Sequence, residues 1–350
     1  MHYYATYALA TAAGIPKPDA AVIAYAAQFT DDSTRYDSKI HDDGGLFFGI
    51  ATSAHPAQFL IDLRKTLHGE TMEEQRRIWV PFHFFPGGQG HSFQEKILCV
   101  KDGPIVREML NNHLEVVKNK AFALELIGLS AHVYADTFSH YGFSGMTSPY
   151  NEITGEFELV EPINQEMLEY VTEKKKIFLE NLSGSAAREA LRITGHSSVA
   201  TYPDRPYLHW RCTFTRPRPG QGTVCDRDNQ ATFFEACEKL YDFFSCFARK
   251  RYADSAARVF SEIAPKVKEI IACQGKENQR LECWQQSGLA NDIPEYFPEA
   301  WEREKTELFS KMKDSSEGIQ TNAYRFHQAA AYHRYYVLKD LLPSHGIAVY

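Results

Sequence analysis

The chain has 350 residues, 38 Lys plus Arg against 45 Asp plus Glu, and a formal net charge of -7. With 44% hydrophobic and 24% charged residues it can bury a sizeable core, which excludes an intrinsically disordered chain. The acidic balance argues against a stable nucleic-acid complex held by overall charge, and no run of about 18 apolar residues is present to span a membrane.

Helical patterning dominates from the start. Residues 3–13 predict an Ala-rich helix stopped by Gly14 and Pro16, and Asp19 is expected to cap a second helix running to Phe29. Asp31-Asp32-Ser33 breaks the pattern. The stretch 35–49, with His41-Asp42-Asp43 and Gly44-Gly45, reads as a loop. Short helices are predicted over 56–68 and 71–79, and Pro81 to Gly88 reads as irregular. Residues 105–141 are strongly helical, with a break expected near Asn111–Asn112. Within them, a helix rich in Leu, Ile, Val and Ala is apolar around most of its circumference, which places it centrally. Two further helices are expected at 163–181 and 184–193.

Residues 203–228 hold Pro203, Pro206, Pro217, Pro219, Gly220 and Gly222 and form the longest irregular stretch. They read as a loop packed over a site, with Tyr207, His209, Trp210 and Arg211 in it. Long helices follow at 229–273, 298–313 and 319–341. Few segments alternate as strands should, and no internal repeat or linker is seen. The expectation is an all-α fold, one multi-helix domain over 1–350. Met1-His2-Tyr3-Tyr4 lacks the basic start and apolar core of a secretory signal, so a cytoplasmic location is expected. The seven cysteines contain no C-x-x-C pair and are expected to be reduced thiols. Cys273 and Cys283 are the pair that an oxidising compartment would allow to bond.

The sharpest chemical signal is Ser130-Ala131-His132-Val133-Tyr134-Ala135-Asp136-Thr137-Phe138-Ser139-His140. Four residues on a helix advance about 40° and ~6 Å, so His132 and Asp136 share a face one turn apart, as ligands of one divalent ion or of two. His140 lies ~12 Å from His132 along the axis and about 80° around it, which suits a second ion or the orientation of Asp136. A lone buried His is more often a satisfied core residue. Three ionisable groups stacked in an apolar helix are harder to bury without a partner. Further candidate ligands are His2 before the first helix, Asp31 and Asp32 after the second, His83 among phenylalanines, His196, and Asp204. Each alone has an ordinary reading, the aspartates as caps or turn residues and His196 as a surface group. Together they supply the mixture of imidazole and carboxylate that holds two or three divalent ions, with zinc the first expectation and manganese or iron the alternatives.

The segment Leu126 to Asp136 followed by His140 resembles the core-helix motif of zinc-dependent phospholipase C and of the related single-strand nucleases of the P1/S1 type. That resemblance implies an all-α fold and a tri-metal cluster held by His and Asp residues from several helices and the N-terminal region. The order of features agrees: His2, then Asp31 or Asp32, then His83, then the His-x-x-x-Asp helix. The His-x-x-x-Glu pair of those enzymes is not evident downstream, and His196 and Asp204 are taken in its place. The His-Tyr-Tyr start and the Ala-Gln-Phe-Thr-Asp-Asp segment also resemble a bacterial and fungal protein family with no assigned activity.

The chemistry expected of such a cluster is hydrolysis of a phosphodiester or phosphomonoester, with a small phosphorylated substrate. Two ions ~3.5–4 Å apart generate hydroxide near neutral pH and neutralise the phosphoryl oxygens. Asp31 or Asp32 would orient the water or act as general base, and Arg205 or Arg211 would clamp the phosphate, Arg211 being also an ordinary candidate for a surface salt bridge. Three rivals stand beside this reading. Ile40-His41-Asp42-Asp43 suggests an HD-type phosphohydrolase, although that motif belongs on a helix. Glu125 with His132, two turns apart, suggests a helical di-iron oxidase. A non-catalytic helical protein whose His/Asp set only staples the fold is the third. The aromatic stripe Tyr324, Phe326, His327, Tyr332, His333, Tyr335 and Tyr336 reads as a packing face, or as the contact of a homodimer.

Overall fold

The structure is a computed structural model, and it describes residues 1–36, 38–54, 73–155, 157–181, 195–253, 257–311 and 315–349. The helices expected at 56–68 and 184–193 lie outside the described residues. The remainder is mostly helical, with two small antiparallel sheets.

The first helix, α1 (Tyr4–Ala12), is so rich in alanine that it is buried on nearly every face. Its partner α2 spans Lys17–Asp32 and starts on Pro16 and Pro18, which suit a helix start because their missing N–H groups would be unpaired there. Asp19 is therefore inside the first turn and not the cap. It accepts instead from the Tyr252 hydroxyl at 2.5 Å. The helix also runs three residues further than expected, so Asp31 and Asp32 belong to its last turn. The expected loop at 35–49 contains a hairpin, β1 (Ser38–Ile40) with β2 (Leu46–Phe48), and His41 sits at its turn rather than on a helix.

A π-helical segment, Gln75–His83, continues through Pro81 where irregular backbone was expected. Its wider turn tolerates the missing proline N–H, and such turns recur at functional sites. Next, α3 (Pro104–Val116) runs unbroken through Asn111–Asn112, and the break falls at residues 117–122. The central helix α4 (Ala123–His140) is buried along almost its whole length. It packs against α2, α3, the π-helical segment, α6 (Asn229–Arg251) and α10 (Asn322–Tyr335). Gly128 permits a close approach of α2. A Cβ there would meet the Ile23 carbonyl and stand 2.7 Å from the Ala26 methyl, so α2 and α4 touch backbone to backbone.

The Pro/Gly-rich stretch is the main departure from an all-α fold. After β3 (Glu158–Leu159) and helix α5 (Gln165–Asn181), β4 (His209–Arg218) and β5 (Gly222–Asp228) complete a three-stranded sheet in the order β3-β4-β5. Trp210, Cys212 and Phe214 point inward and Arg211, Thr213 and Thr215 outward, as a half-buried strand requires. This sheet covers a second apolar cluster of Phe84, Phe143, Phe157, Met167, Trp210 and Phe214, separate from the main core around α4.

The helix expected over 229–273 is two, α6 and α7 (Phe260–Ile271), and α8 (Glu277–Gln285) was not expected. Cys273 and Cys283 are bonded as a disulfide at this corner, in place of the expected thiols. Helix α9 spans Glu299–Lys311, and α10 passes into a π-helical turn, Tyr336–Leu341. The C-terminal stripe is a packing face in part: Phe326, His327 and His333 are buried, while Tyr335 is exposed. Among the described residues no helix is long and apolar enough to cross a membrane.

Candidate metal centre

Helix α4 supplies the floor of the site. His132 Nε2 and Asp136 Oδ2 are 3.3 Å apart one turn along the same face, as the helical period predicts. His83, at the end of the π-helical segment, brings Nδ1 to 3.2 Å from Asp136 Oδ2 and 3.3 Å from His132 Nε2. His2, just before α1, stacks on the His132 ring with centroids 4.0 Å apart and places Nε2 3.2 Å from Asp136 Oδ1. Asp31, from the last turn of α2, stands 3.8 Å from both His83 Nδ1 and His132 Nε2.

A second group lies past the end of α4. His140 Nε2 is 3.2 Å from Asp204 Oδ1, and His196 Nε2 is 3.3 Å from Asp204 Oδ2. Asp136 Oδ2 also lies 3.6 Å from His140 Nδ1, the nitrogen turned to the His83 carbonyl, so it acts on the outer group by charge and faces none of its bare nitrogens. His140 stacks on Phe84, and the two imidazoles of this group are 5.0 Å apart.

The backbone decides which nitrogen each ring offers. His132 Nδ1 donates to the Ala27 carbonyl at 2.8 Å, and His83 Nε2 to the Thr52 carbonyl at 2.9 Å. His140 Nδ1 donates to the His83 carbonyl at 2.8 Å, and His196 Nδ1 to that of Ala200 at 2.7 Å. A carbonyl only accepts, so each of these nitrogens carries the proton, and in the neutral ring the other is bare. The bare nitrogens of His132 and His83 face one another and the Asp136 carboxylate, and those of His140 and His196 face Asp204. Lone pairs turned on carboxylate oxygens repel unless a cation or a proton lies between them. The spacing fits a cation. Four ligands at about 2.05 Å around a tetrahedral zinc are ~3.3 Å from one another. A carbonyl behind the imidazoles of His83, His132, His140 and His196 is also the arrangement that orients metal-bound histidines. Ala200 supplies its carbonyl from a positive φ of 51°, a strained position for a residue with a side chain.

Without an ion, protons take over the same task. Burial pushes His140 down, but Asp136 and Asp204 outweigh it and hold the imidazole at about 9. Burial likewise opposes ionisation of Asp204, and His196 and His140 overcome it, keeping the carboxyl below its ordinary value. Asp136 is buried and is held well below the usual carboxylate range, the His132 and His140 charges outweighing desolvation. The cluster opens at its two ends: the side chains of Asp31 and Asp204 are 39% and 41% exposed, whereas His132 is fully buried.

Of the residues singled out in the sequence, His2, Asp31, His83, His132 and Asp136 converge in one place, and His140, His196 and Asp204 in the adjoining one. Asp32 does not join them. It accepts from the Tyr296 hydroxyl at 2.5 Å, and burial pushes its carboxyl up, with Tyr296 opposing. Arg205 makes no contact with the carboxylates. Its Nε donates to Thr201 Oγ1 and its guanidinium lies over the Tyr170 ring. Arg211 pairs with Asp226 on the exposed face of the sheet, the surface salt bridge that was its ordinary reading. Glu125 is in neither group; it lies two turns, about 10.5 Å, along α4 from His132, and its electrostatic neighbours are Arg325, Glu304 and Arg251. His41 and Asp42 of the HD-like motif are also outside both groups.

Two supporting residues were missed. Ser139 donates to Asp204 Oδ1 at 2.7 Å. Arg227, on β5, donates to the Ser139 and Tyr141 carbonyls and so fixes the end of α4. Ser139 lay inside the motif and its place beside His140 was the available signal; Arg227 had none. A family model described as a family of unknown function (DUF6765) matches residues 1–341. No curated protein and no solved structure matches the chain.

Proposed function

The chain belongs to this family of unknown function, and we propose that it is a metal-dependent hydrolase that cleaves a phosphoester at the His/Asp cluster. The observation that carries the reading is the set of bare imidazole nitrogens and carboxylates from separate segments, packed at ligand-to-ligand spacing with a carbonyl fixing the rings of His83, His132, His140 and His196. Divalent ions, zinc first, would there supply a Lewis acid for phosphoryl oxygens and lower the pKa of water.

The chain's own groups divide the remaining work. His2, His83, His132 and Asp136 form the inner group and Asp31 borders it, while His140, His196 and Asp204 form the outer one. Asp136 acts on the outer group by charge. Asp31, at the open end, would accept a proton from an attacking water, whereas Asp32 accepts from Tyr296. Ser139 and Arg227 hold the outer group in register with α4.

Elemental analysis of protein purified without added metal, followed by a panel of phosphomonoesters and phosphodiesters, tests the reading. Two or three equivalents of zinc or manganese, with turnover abolished by chelation and restored by metal, are expected. A protein that carries metal, unfolds on its removal and turns over no phosphoester would leave only a structural site. Iron with an oxygen-sensitive optical band would favour oxidation instead.

A further inference from the structure

Beside the cluster lies a second concentration of charge, and it is mainly basic. Arg205 follows Asp204 directly, and its Nη1 donates to the Tyr207 hydroxyl at 3.3 Å. Arg280, on α8, has its guanidinium 5.8 Å from the centroid of the same tyrosine ring. Tyr207 is buried, so two guanidiniums meet on one fixed aromatic residue. The ammonium groups of Lys174 and Lys276 stand 5.7 and 5.8 Å from the neighbouring Tyr170 ring, over which Arg205 also lies.

Among the described residues neither arginine forms an ion pair. Lys276 is paired with Glu166, and Glu277, one turn from Arg280, acts on it only at longer range. Burial and then the charge of Arg205 pull the Arg280 guanidinium below its ordinary range, against Tyr207 and Glu277. Like charges brought together with no counter-charge destabilise the protein, and a bound anion relieves that strain.

The position relates this patch to both metal groups. Arg205 adjoins the half-exposed Asp204 of the outer group. Arg280 is on α8, which packs against α1, the helix that His2 precedes. Helix α8 is held there by the Gln285 Nε2 contact to the Tyr4 hydroxyl.

We propose that Arg205 and Arg280 form an anion subsite that takes a phosphoryl group, and that the substrate is a phosphoester bearing a second phosphate besides the one held at the cluster. Assigning both phosphates to one substrate rests on the hydrolase reading; the binding of an anion by the two arginines does not. Planar guanidiniums suit this role because each presents two parallel donors to phosphate oxygens.

The test is a calorimetric titration of chelator-treated full-length protein with inorganic pyrophosphate. Wild type is expected to bind, and Arg280→Gln and Arg205→Gln to weaken binding about tenfold or more each, the loss of a charge-assisted hydrogen-bonding partner. Metal content and melting temperature are measured alongside and are expected to stay at the wild-type level. Arg280→Lys keeps the charge without the fork, and is expected to bind less tightly than wild type even where a glutamine variant folds poorly. Absence of binding in wild type, or wild-type binding in both Arg280→Gln and Arg205→Gln with unaltered melting, overturns the subsite. Arginine-dependent binding with no phosphoester turned over keeps the subsite and removes the hydrolase reading. Turnover with the same KM for singly and doubly phosphorylated esters in wild type and Arg280→Gln keeps the hydrolase reading and removes the second phosphate from its substrate.

Discussion

Gly128→Ala probes the link between packing and the metal centre. The added methyl would sit 2.7 Å from the Ala26 Cβ and nearer still to the Ile23 carbonyl, where ordinary contact begins at 3.4 Å. Backbone cannot step aside by changing rotamer, so α2 and α4 must separate by about 1 Å. Overpacking of this kind costs ~1–3 kcal/mol, at the upper end where backbone is struck, and the better helix propensity of alanine returns about 1 kcal/mol. A net loss of about 2 kcal/mol is expected, a fall in Tm of roughly 4 °C for a chain of this size. The same movement acts on function. Ala27 holds the His132 ring through its carbonyl, and shifting that carbonyl by about 1 Å breaks the hydrogen bond and weakens metal binding ~10–100-fold. Differential scanning calorimetry of chelated protein reads the first effect, and competition with a chromogenic chelator reads the second. A variant that melts with wild type and holds metal equally well would refute both the close approach and its coupling to the site.

Other substitutions and titrations read single parts of the argument. Asp136→Asn removes the carboxylate that His2, His83 and His132 face and is expected to lower metal affinity by at least roughly a hundredfold, read by equilibrium dialysis against zinc; wild-type stoichiometry and affinity would contradict its place in the inner group. Metal loading near pH 7.5 should release protons, because His140 is held at about 9 and His132 above its ordinary value until an ion replaces the proton. Calorimetry in buffers of different ionisation enthalpy measures that release, and a buffer-independent heat would count against it. Glu125 is pushed up to about 7 by burial, against 4.5 when unfolded. The folded chain therefore holds that proton more tightly, and the associated stability is complete below pH 4.5 and lost as pH rises through 7, up to ~3 kcal/mol. Glu125→Gln should thus stabilise relative to wild type above pH 7 and not below 4.5, by urea denaturation at both; a pH-independent difference would show that Glu125 does not titrate this way.

The spacing of apolar and polar residues determined that this chain is largely helical, that α4 is central, and that His132 and Asp136 share a face. These follow from the helical period alone, which is local. The strand pattern of Trp210-Arg211-Cys212-Thr213-Phe214-Thr215 was present too, but the surrounding prolines and glycines pointed to a loop, and only its pairing with β5 and β3 reveals a sheet. The choice between Asp31 and Asp32 was not legible, because adjacent helical residues point about 100° apart and the packing of α2 on α4 selects one. Nor could the sequence show which nitrogen each imidazole offers. That depends on carbonyls supplied by chain far away, as with Ala27 for His132, 105 residues apart. The meeting of Arg205 with Arg280 is of the same kind. Local spacing sets the face of an element on which a side chain lies, while the partner it meets there depends on how distant segments close around the core.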